Sequence, residues 1–200
     1  MVYTVSSGGI EINLSPEDTI KNEAKRIHSG QKYDNHPYTF HLDMVAKNVL
    51  KYVDYYIESE ETEQLTIRML WMAAQFHDSL EDCPDYNYTK LLNFSKFVFP
   101  EDKKFGETVA EIVFACTNEK GRTRKERQNF RYYKGIRETK YAPFIKACDR
   151  LANIEYSKKT GSKLFWMYQR ELKDFLDSIY SEDNQIPPRL YQDLCQYLPN

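Results

Sequence analysis

The chain is 200 residues long, with 41% hydrophobic and 29% charged residues and a formal net charge of −2. That is enough chain to bury a sizeable core without disulfides or a structural metal, and too little for two catalytic domains, so one domain over 1–200 is expected. The balance of 28 basic against 30 acidic residues gives no whole-chain attraction to nucleic acid or to an anionic membrane.

Residues 1 to 15 carry β-branched side chains and Gly8-Gly9, which predicts a short extended N-terminal arm. Ser15-Pro16-Glu17-Asp18 then supplies an N-cap, a proline at the first helical position and first-turn acids for a helix running to about His28. Ser29-Gly30 breaks it, and Gln31 to Pro37 reads as a polar loop. After Phe40, the residues Met44, Val45, Val49, Val53 and Ile57 recur at helical spacing, and Glu58 to Glu63 reads as an acidic connection. Ile67, Leu70, Trp71 and Ala74 mark a third helix running into His77-Asp78. Pro84 to Pro100 reads as a short helix with loops. Val109, Ile112, Val113 and Cys116 define another helix, and Lys120 to Arg131 a basic, solvated segment. Pro143 opens a helix through Phe144, Ala147, Leu151 and Ile154 that Gly161 stops. Leu164, Tyr168, Leu172, Phe175, Leu176 and Ile179 form a long stripe expected in the core, as are Trp71, Met72 and Trp166. Pro187-Pro188 leads into a short terminal helix. With no strand pair expected beyond the arm, the predicted class is all-α.

No apolar run reaches the roughly 18 to 20 residues of a membrane span, and the N-terminus lacks a basic-then-apolar leader, so a cytoplasmic location is expected. Cys83, Cys116, Cys148 and Cys195 have no zinc spacing and read as reduced, mostly packed thiols.

The chemistry concentrates in His41, in His77-Asp78 with Glu81-Asp82, and in Asp149. On a helix, His77 and Glu81 share a face, as do Asp78 and Asp82. Clustered carboxylates repel one another unless a cation, a basic residue or solvent offsets them. Two imidazoles and two carboxylates form a mixed ligand set suited to Mn²⁺, Fe²⁺ or Zn²⁺, with room for water. On spacing alone, a helix end with solvated acids and a satisfied histidine is the competing reading.

The ordered set His41, His77-Asp78 and Asp149 resembles the H…HD…D pattern of HD-domain metal-dependent phosphohydrolases. Three strings narrow the likeness: PYTFH (Pro37 to His41), HDSLEDC (His77 to Cys83) and IKACDRLANI (Ile145 to Ile154). They resemble the hydrolase domain of the RelA/SpoT homologue family, including its single-domain small alarmone hydrolases. Thr117 to Gln128 resembles the family stretch between the acidic pair and the last ligand, and the matches run from about Gly30 to Glu155 inside a core of about 17–180.

The resemblance implies an HD-domain helical bundle in which His41, His77, Asp78 and Asp149 ligate one metal, Mn²⁺ in the family. Glu81 and Asp82 would flank a metal-activated water that attacks the 3′ phosphoester of guanosine tetra- or pentaphosphate and releases pyrophosphate. The length leaves no room for the synthetase domain of long family members, so hydrolysis alone is expected. A nucleotide is the expected partner, with neither nucleic acid nor membrane, and the oligomeric state is left open.

On the substrate side, Asn153 matches a family asparagine and Lys32 falls in a loop where the family carries basic residues. Arg150 serves either substrate or the bracing of the last-ligand helix, and Lys146 is similar. The Lys32 to His36 loop departs from the family, one residue shorter and without a base-stacking arginine, so Tyr33 is a candidate to stack on a purine instead. Ala152 and Glu155 stand where the family tends to carry histidine and arginine. These departures keep two alternatives open: phosphohydrolysis of a different nucleotide, and a regulatory module that binds nucleotide without turnover. The intact Glu81-Asp82 pair favours an enzyme. His28 and His36 read as surface residues and Tyr38 as packing.

Overall fold

A computed structural model describes residues 3–7 and 10–199, with side chains from Ser15 onward. The extended arm is an antiparallel hairpin of β1 (Tyr3–Ser7) and β2 (Ile10–Leu14), with Tyr3 opposite Leu14 and Ser7 opposite Ile10. Gly8 and Gly9 lie outside the described residues. Helix α1 (Pro16–Ile27) starts as its sequence dictates: the Ser15 side chain accepts the Asp18 N–H, and Glu17 and Asp18 favour the positive helix end.

The expected loop from Gln31 to Pro37 is instead a second small hairpin, β3 (Lys32–Tyr33) paired with β4 (His36–Pro37). Strands this short show no alternation in sequence, which hides them from pattern reading. Asp34 closes the turn at φ +52°, a left-handed conformation that Asp tolerates, and its carboxylate accepts the Tyr156 hydroxyl at 2.9 Å.

Helix α2 (Thr39–Tyr52) ends earlier than its apolar spacing suggests and tightens into a 3-10 turn at Val53–Tyr56, leaving Ile57 outside. The acidic stretch read as a connection contributes the first turn of α3 (Glu60–Phe76), where Glu60, Glu61 and Glu63 face the positive helix end. Over its last two turns, Met69 to Phe76, α3 is buried all round, the mark of a central helix. It is followed by the single turn α4 (Ser79–Asp82), then α5 (Tyr88–Val98) and α6 (Lys103–Cys116).

The basic segment is ordered. It forms the turn α7 (Arg124–Arg127), closed by a reciprocal Thr123 and Glu126 cap, and runs into α8 (Phe130–Glu138), whose Tyr132 and Ile136 are buried. Helix α9 (Ala142–Thr160) is buried continuously from Ala142 to Cys148 and ends at Gly161, φ +68°, with the Ser162 N–H bonded back to the Ser157 carbonyl. Helices α10 (Leu164–Ile179) and α11 (Pro188–Cys195) complete the chain.

Helix α2 packs on α3 and α9, α3 on α6, and α10 on α9, so the class is all-α as expected, with the two small hairpins added. The stripe of α10 is core from Leu172 onward, but Leu164 is 50% exposed and Trp166 62% exposed, contrary to expectation, while Phe165 between them packs against the core. Cys83, Cys116 and Cys148 are buried free thiols. Among the described residues, no helix is long and apolar enough to cross a membrane.

Candidate metal centre

Four side chains from three segments converge where α2, α3 and α9 meet. His41 lies in the first turn of α2, His77 and Asp78 occupy the junction between α3 and α4, and Asp149 lies in the middle of α9. His41 Nε2 is 3.3 Å from Asp149 Oδ1 and 3.6 Å from Asp78 Oδ2, while His77 Nε2 is 2.9 Å from Asp78 Oδ2 and 3.7 Å from Asp149 Oδ1. Ligand atoms about 2.0 to 2.2 Å from one ion stand roughly 3 to 3.6 Å apart, so these separations fit the edges of a metal polyhedron. One donor atom each from His41, His77 and Asp149 falls within a 4.8 Å span.

The junction explains how neighbouring residues reach one point. In an unbroken helix His77 and Asp78 would diverge by about 100°. Here α3 ends at Phe76 and Asp78, at φ −102° and ψ 0°, starts the separate turn α4. One expected pairing survives, since Asp78 and Asp82 both accept the Tyr38 hydroxyl, at 2.6 and 3.0 Å. The other does not: His77 turns into the centre, while Glu81 accepts the Asn118 amide at 2.7 and 2.8 Å.

The donor set passes a chemical test for a cation. His77 Nδ1 contacts the Ala74 carbonyl at 2.8 Å, which places the hydrogen there and the Nε2 lone pair toward the carboxylates. His77 Nε2 is fully buried without a hydrogen-bond partner. Burial opposes charge on His77, yet Asp78 and Asp149 outweigh it and push its pKa up to about 10. His41 is likewise raised against burial, by the neighbouring Asp149 and Asp78 carboxylates. Burial also opposes the charged form of Asp78, but His77 and His41 hold its carboxyl well below the usual range. Lys146 leads the same effect on Asp149, with its Nζ 3.1 Å from Oδ2. The carboxylates therefore favour positive charge between them, as a proton on each ring or as a divalent ion.

Asp82 stands apart from those two. Burial, and then the Asp78 charge, raise its pKa above the usual carboxylate range. Glu81 and Asp82 border the same cavity of about 250 Å³ as His41, Asp78 and Asp149. Its lining also includes Arg124, Gln128, Tyr133, Arg150 and Tyr168. The Arg150 guanidinium lies 4.2 Å from the Phe175 ring centroid and shares Glu171 with Arg124, at 3.4 and 3.3 Å. Asn153 donates to Asp149 Oδ1 at 2.5 Å and accepts the Tyr33 hydroxyl at 2.9 Å.

Lys32 is not brought to this cavity. It is exposed and borders a neighbouring groove of about 530 Å³ that shares Tyr33 and Tyr168 with the first. Glu155 is exposed outside the cavity, so it does not face a bound anion there. His28, expected at the surface, is 3% exposed and stacks on Tyr38, because Gln31 supplies a hydrogen-bond partner at 2.7 Å. Tyr38, Asn118, Arg124 and Tyr168 emerge as cavity residues whose parts the sequence reading missed. For Arg124 a signal existed: the Thr123 to Glu126 spacing of a capping box marks an ordered turn.

The architecture is an all-α bundle, with a candidate divalent-metal centre between its central helices. In structure the chain is similar to a metazoan ortholog of SpoT that hydrolyzes ppGpp and plays a role in starvation responses, with a TM-score of 0.64, 98% of this chain and 96% of that chain covered, and 19% sequence identity. At that identity the likeness carries the fold. No family model matches the chain, and no curated protein matches it in sequence.

Proposed function

We propose that this chain is a divalent-metal-dependent phosphohydrolase of guanosine 3′,5′-bis(diphosphate)-type alarmones, releasing pyrophosphate from the 3′ position. The observation that carries this reading is the convergence of His41 Nε2, His77 Nε2, Asp78 Oδ2 and Asp149 Oδ1, in a fold shared with a protein that hydrolyzes ppGpp. Those four atoms would hold the ion, Mn²⁺ in the first instance. When bound, it supplies Lewis-acid polarisation of a phosphoryl oxygen and a lowered pKa for water.

The chain's own groups do the rest. Asp82, with its raised pKa, is suited to take the proton of the attacking water at a carboxylate oxygen. Tyr38 holds Asp82 and Asp78 together through one hydroxyl, fixing the base beside the ligand. Glu81, held by the Asn118 amide, orients the water and withholds a second negative charge from free rotation into the cavity. Arg124 and Arg150 in the cavity lining, with Lys146 beside Asp149, counter the phosphate charge that builds during the reaction. A second reading, the same chemistry on a different nucleotide, is favoured by the position of Lys32 outside the cavity.

Paired variants test the roles. His77→Ala should abolish Mn²⁺ binding and turnover together. Glu81→Gln should bind Mn²⁺ like the parent while turnover of guanosine tetraphosphate falls about 10²-fold or more. Normal turnover in Glu81→Gln, or retained metal in His77→Ala, would contradict the assignment.

A further inference from the structure

Tyr33 occupies a junction between two of the ligand helices. Its ring lies flat against the His41 imidazole, with centroids 4.7 Å apart and planes 13° apart. Its hydroxyl donates to Asn153 Oδ1 at 2.9 Å, and Asn153 in turn donates to Asp149 Oδ1 at 2.5 Å. One side chain from the β3–β4 hairpin thus touches His41 of α2 directly and Asp149 of α9 through a single intermediate. The hairpin is itself pinned to α9, because Tyr156 donates its hydroxyl to Asp34 at 2.9 Å and its ring meets Tyr33 at 5.1 Å.

The two histidines differ in what orients them. His77 is fixed by a hydrogen bond from its Nδ1 to the Ala74 carbonyl, whereas His41 Nδ1 is buried without a partner. A ligating imidazole normally owes its plane to the bond made by its other nitrogen. For His41 no such bond exists, and stacked Tyr33, with Tyr38 edge-on at 5.7 Å, stands in its place.

We propose that Tyr33 is a positioning residue of the metal centre: its ring sets the plane of His41, and its hydroxyl, through Asn153, sets the Asp149 carboxylate. The inference rests on the metal-centre reading above. It also gives Tyr33 a different part from purine stacking, since one face of its ring is already laid on His41.

The test compares the parent chain with Tyr33→Phe and Tyr33→Ala. Mn²⁺ affinity is measured by competition with a chromophoric chelator, melting temperature is measured in excess chelator, and KM is measured for guanosine tetraphosphate at saturating Mn²⁺. Tyr33→Ala should weaken Mn²⁺ binding about ten-fold or more, the scale of losing an outer partner of a ligand. Tyr33→Phe keeps the stack and loses the hydroxyl, so its affinity should fall between the other two, with a melting temperature in chelator lower by no more than the few degrees of one lost hydrogen bond. KM should stay at the parent value in both. Parent-like Mn²⁺ affinity in both variants would overturn the proposal, and with a raised KM in Tyr33→Ala would make Tyr33 a substrate contact. A fall in affinity accompanied by a fall in the chelated melting temperature of Tyr33→Phe well beyond that of one lost hydrogen bond would also overturn it, leaving a structural role. A parent that binds no Mn²⁺ would overturn the metal-centre reading and this proposal together, whereas failure to turn over guanosine tetraphosphate leaves the affinity comparison intact.

Discussion

Asp78 and Asp82 lie one helical turn apart, accept the same Tyr38 hydroxyl, and yet stand under opposite electrostatic conditions. Two imidazoles hold Asp78 charged, whereas burial and the Asp78 charge make Asp82 harder to ionise. That divergence suits Asp78 to the proposed ligand role and Asp82 to the proposed base role, and it comes from neighbours contributed by other segments. The proposed ligand residues stand out in sequence by their types and order, and the structure brings them together. Tyr38, Asn118 and Arg124 were not, since each acquires its part from partners distant in the chain and lies on no periodic face. His28 misled for the same reason: a helix-end histidine looks solvated until the hairpin covers it. Burial lowers its pKa. The unfolded chain therefore binds the extra proton more readily below about pH 6.5, and the stability that neutral His28 contributes is present above that pH and lost as pH falls below it. In chelator, the melting temperature of the parent should drop more steeply between pH 7.5 and 5.5 than that of His28→Gln, and parallel curves would contradict the buried, neutral assignment.

At the scale of elements, caps and breakers were the dependable signals. Ser15 and Pro16 opened α1, Pro143 stood at the start of α9 and Gly161 ended it, each by satisfying or removing a helix-end group. Elements without such signals were missed or misplaced. The β3–β4 ladder is too short to alternate, α8 hides behind a basic run, and the acids before α3 prove to be its first turn. Trp166 was assigned to the core from spacing, but periodicity reports a face and not whether another element covers it. Close packing between α5 and α6 depends on Gly106, where an added Cβ would come within 2.7 Å of the Ser95 backbone. Backbone cannot yield as a flexible side chain does, so Gly106→Ala should destabilise by about 1 to 3 kcal/mol. That corresponds to a melting temperature lower by roughly 2 to 4 °C per kcal/mol. Because neither α5 nor α6 carries a proposed ligand, Mn²⁺ affinity should be retained, and an unchanged melting temperature would contradict the tight contact.

The whole molecule is organised around the meeting of α2, α3 and α9, with α3 buried at its C-terminal end and every proposed ligand on or beside these helices. Such a centre needs the fold, because no two of the three segments are close in sequence. The fold needs the centre less, since a continuous apolar core surrounds it. The class was readable from periodicity and the candidate ligands from residue order, while the rest of the cavity lining required the three-dimensional arrangement of α7, α8, α9 and α10. Substrate identity is the part that rests most heavily on the combination of fold and donor set. It is tested most directly by loading the purified chain with Mn²⁺, adding guanosine tetraphosphate, and resolving the products by anion exchange with and without chelator, beside a panel of other nucleotides. GDP and pyrophosphate that form with Mn²⁺ and vanish with chelator are the expected result. An inert guanosine tetraphosphate beside a panel member that is hydrolysed would keep the metal chemistry and contradict the alarmone assignment, and silence across the panel would contradict catalysis itself.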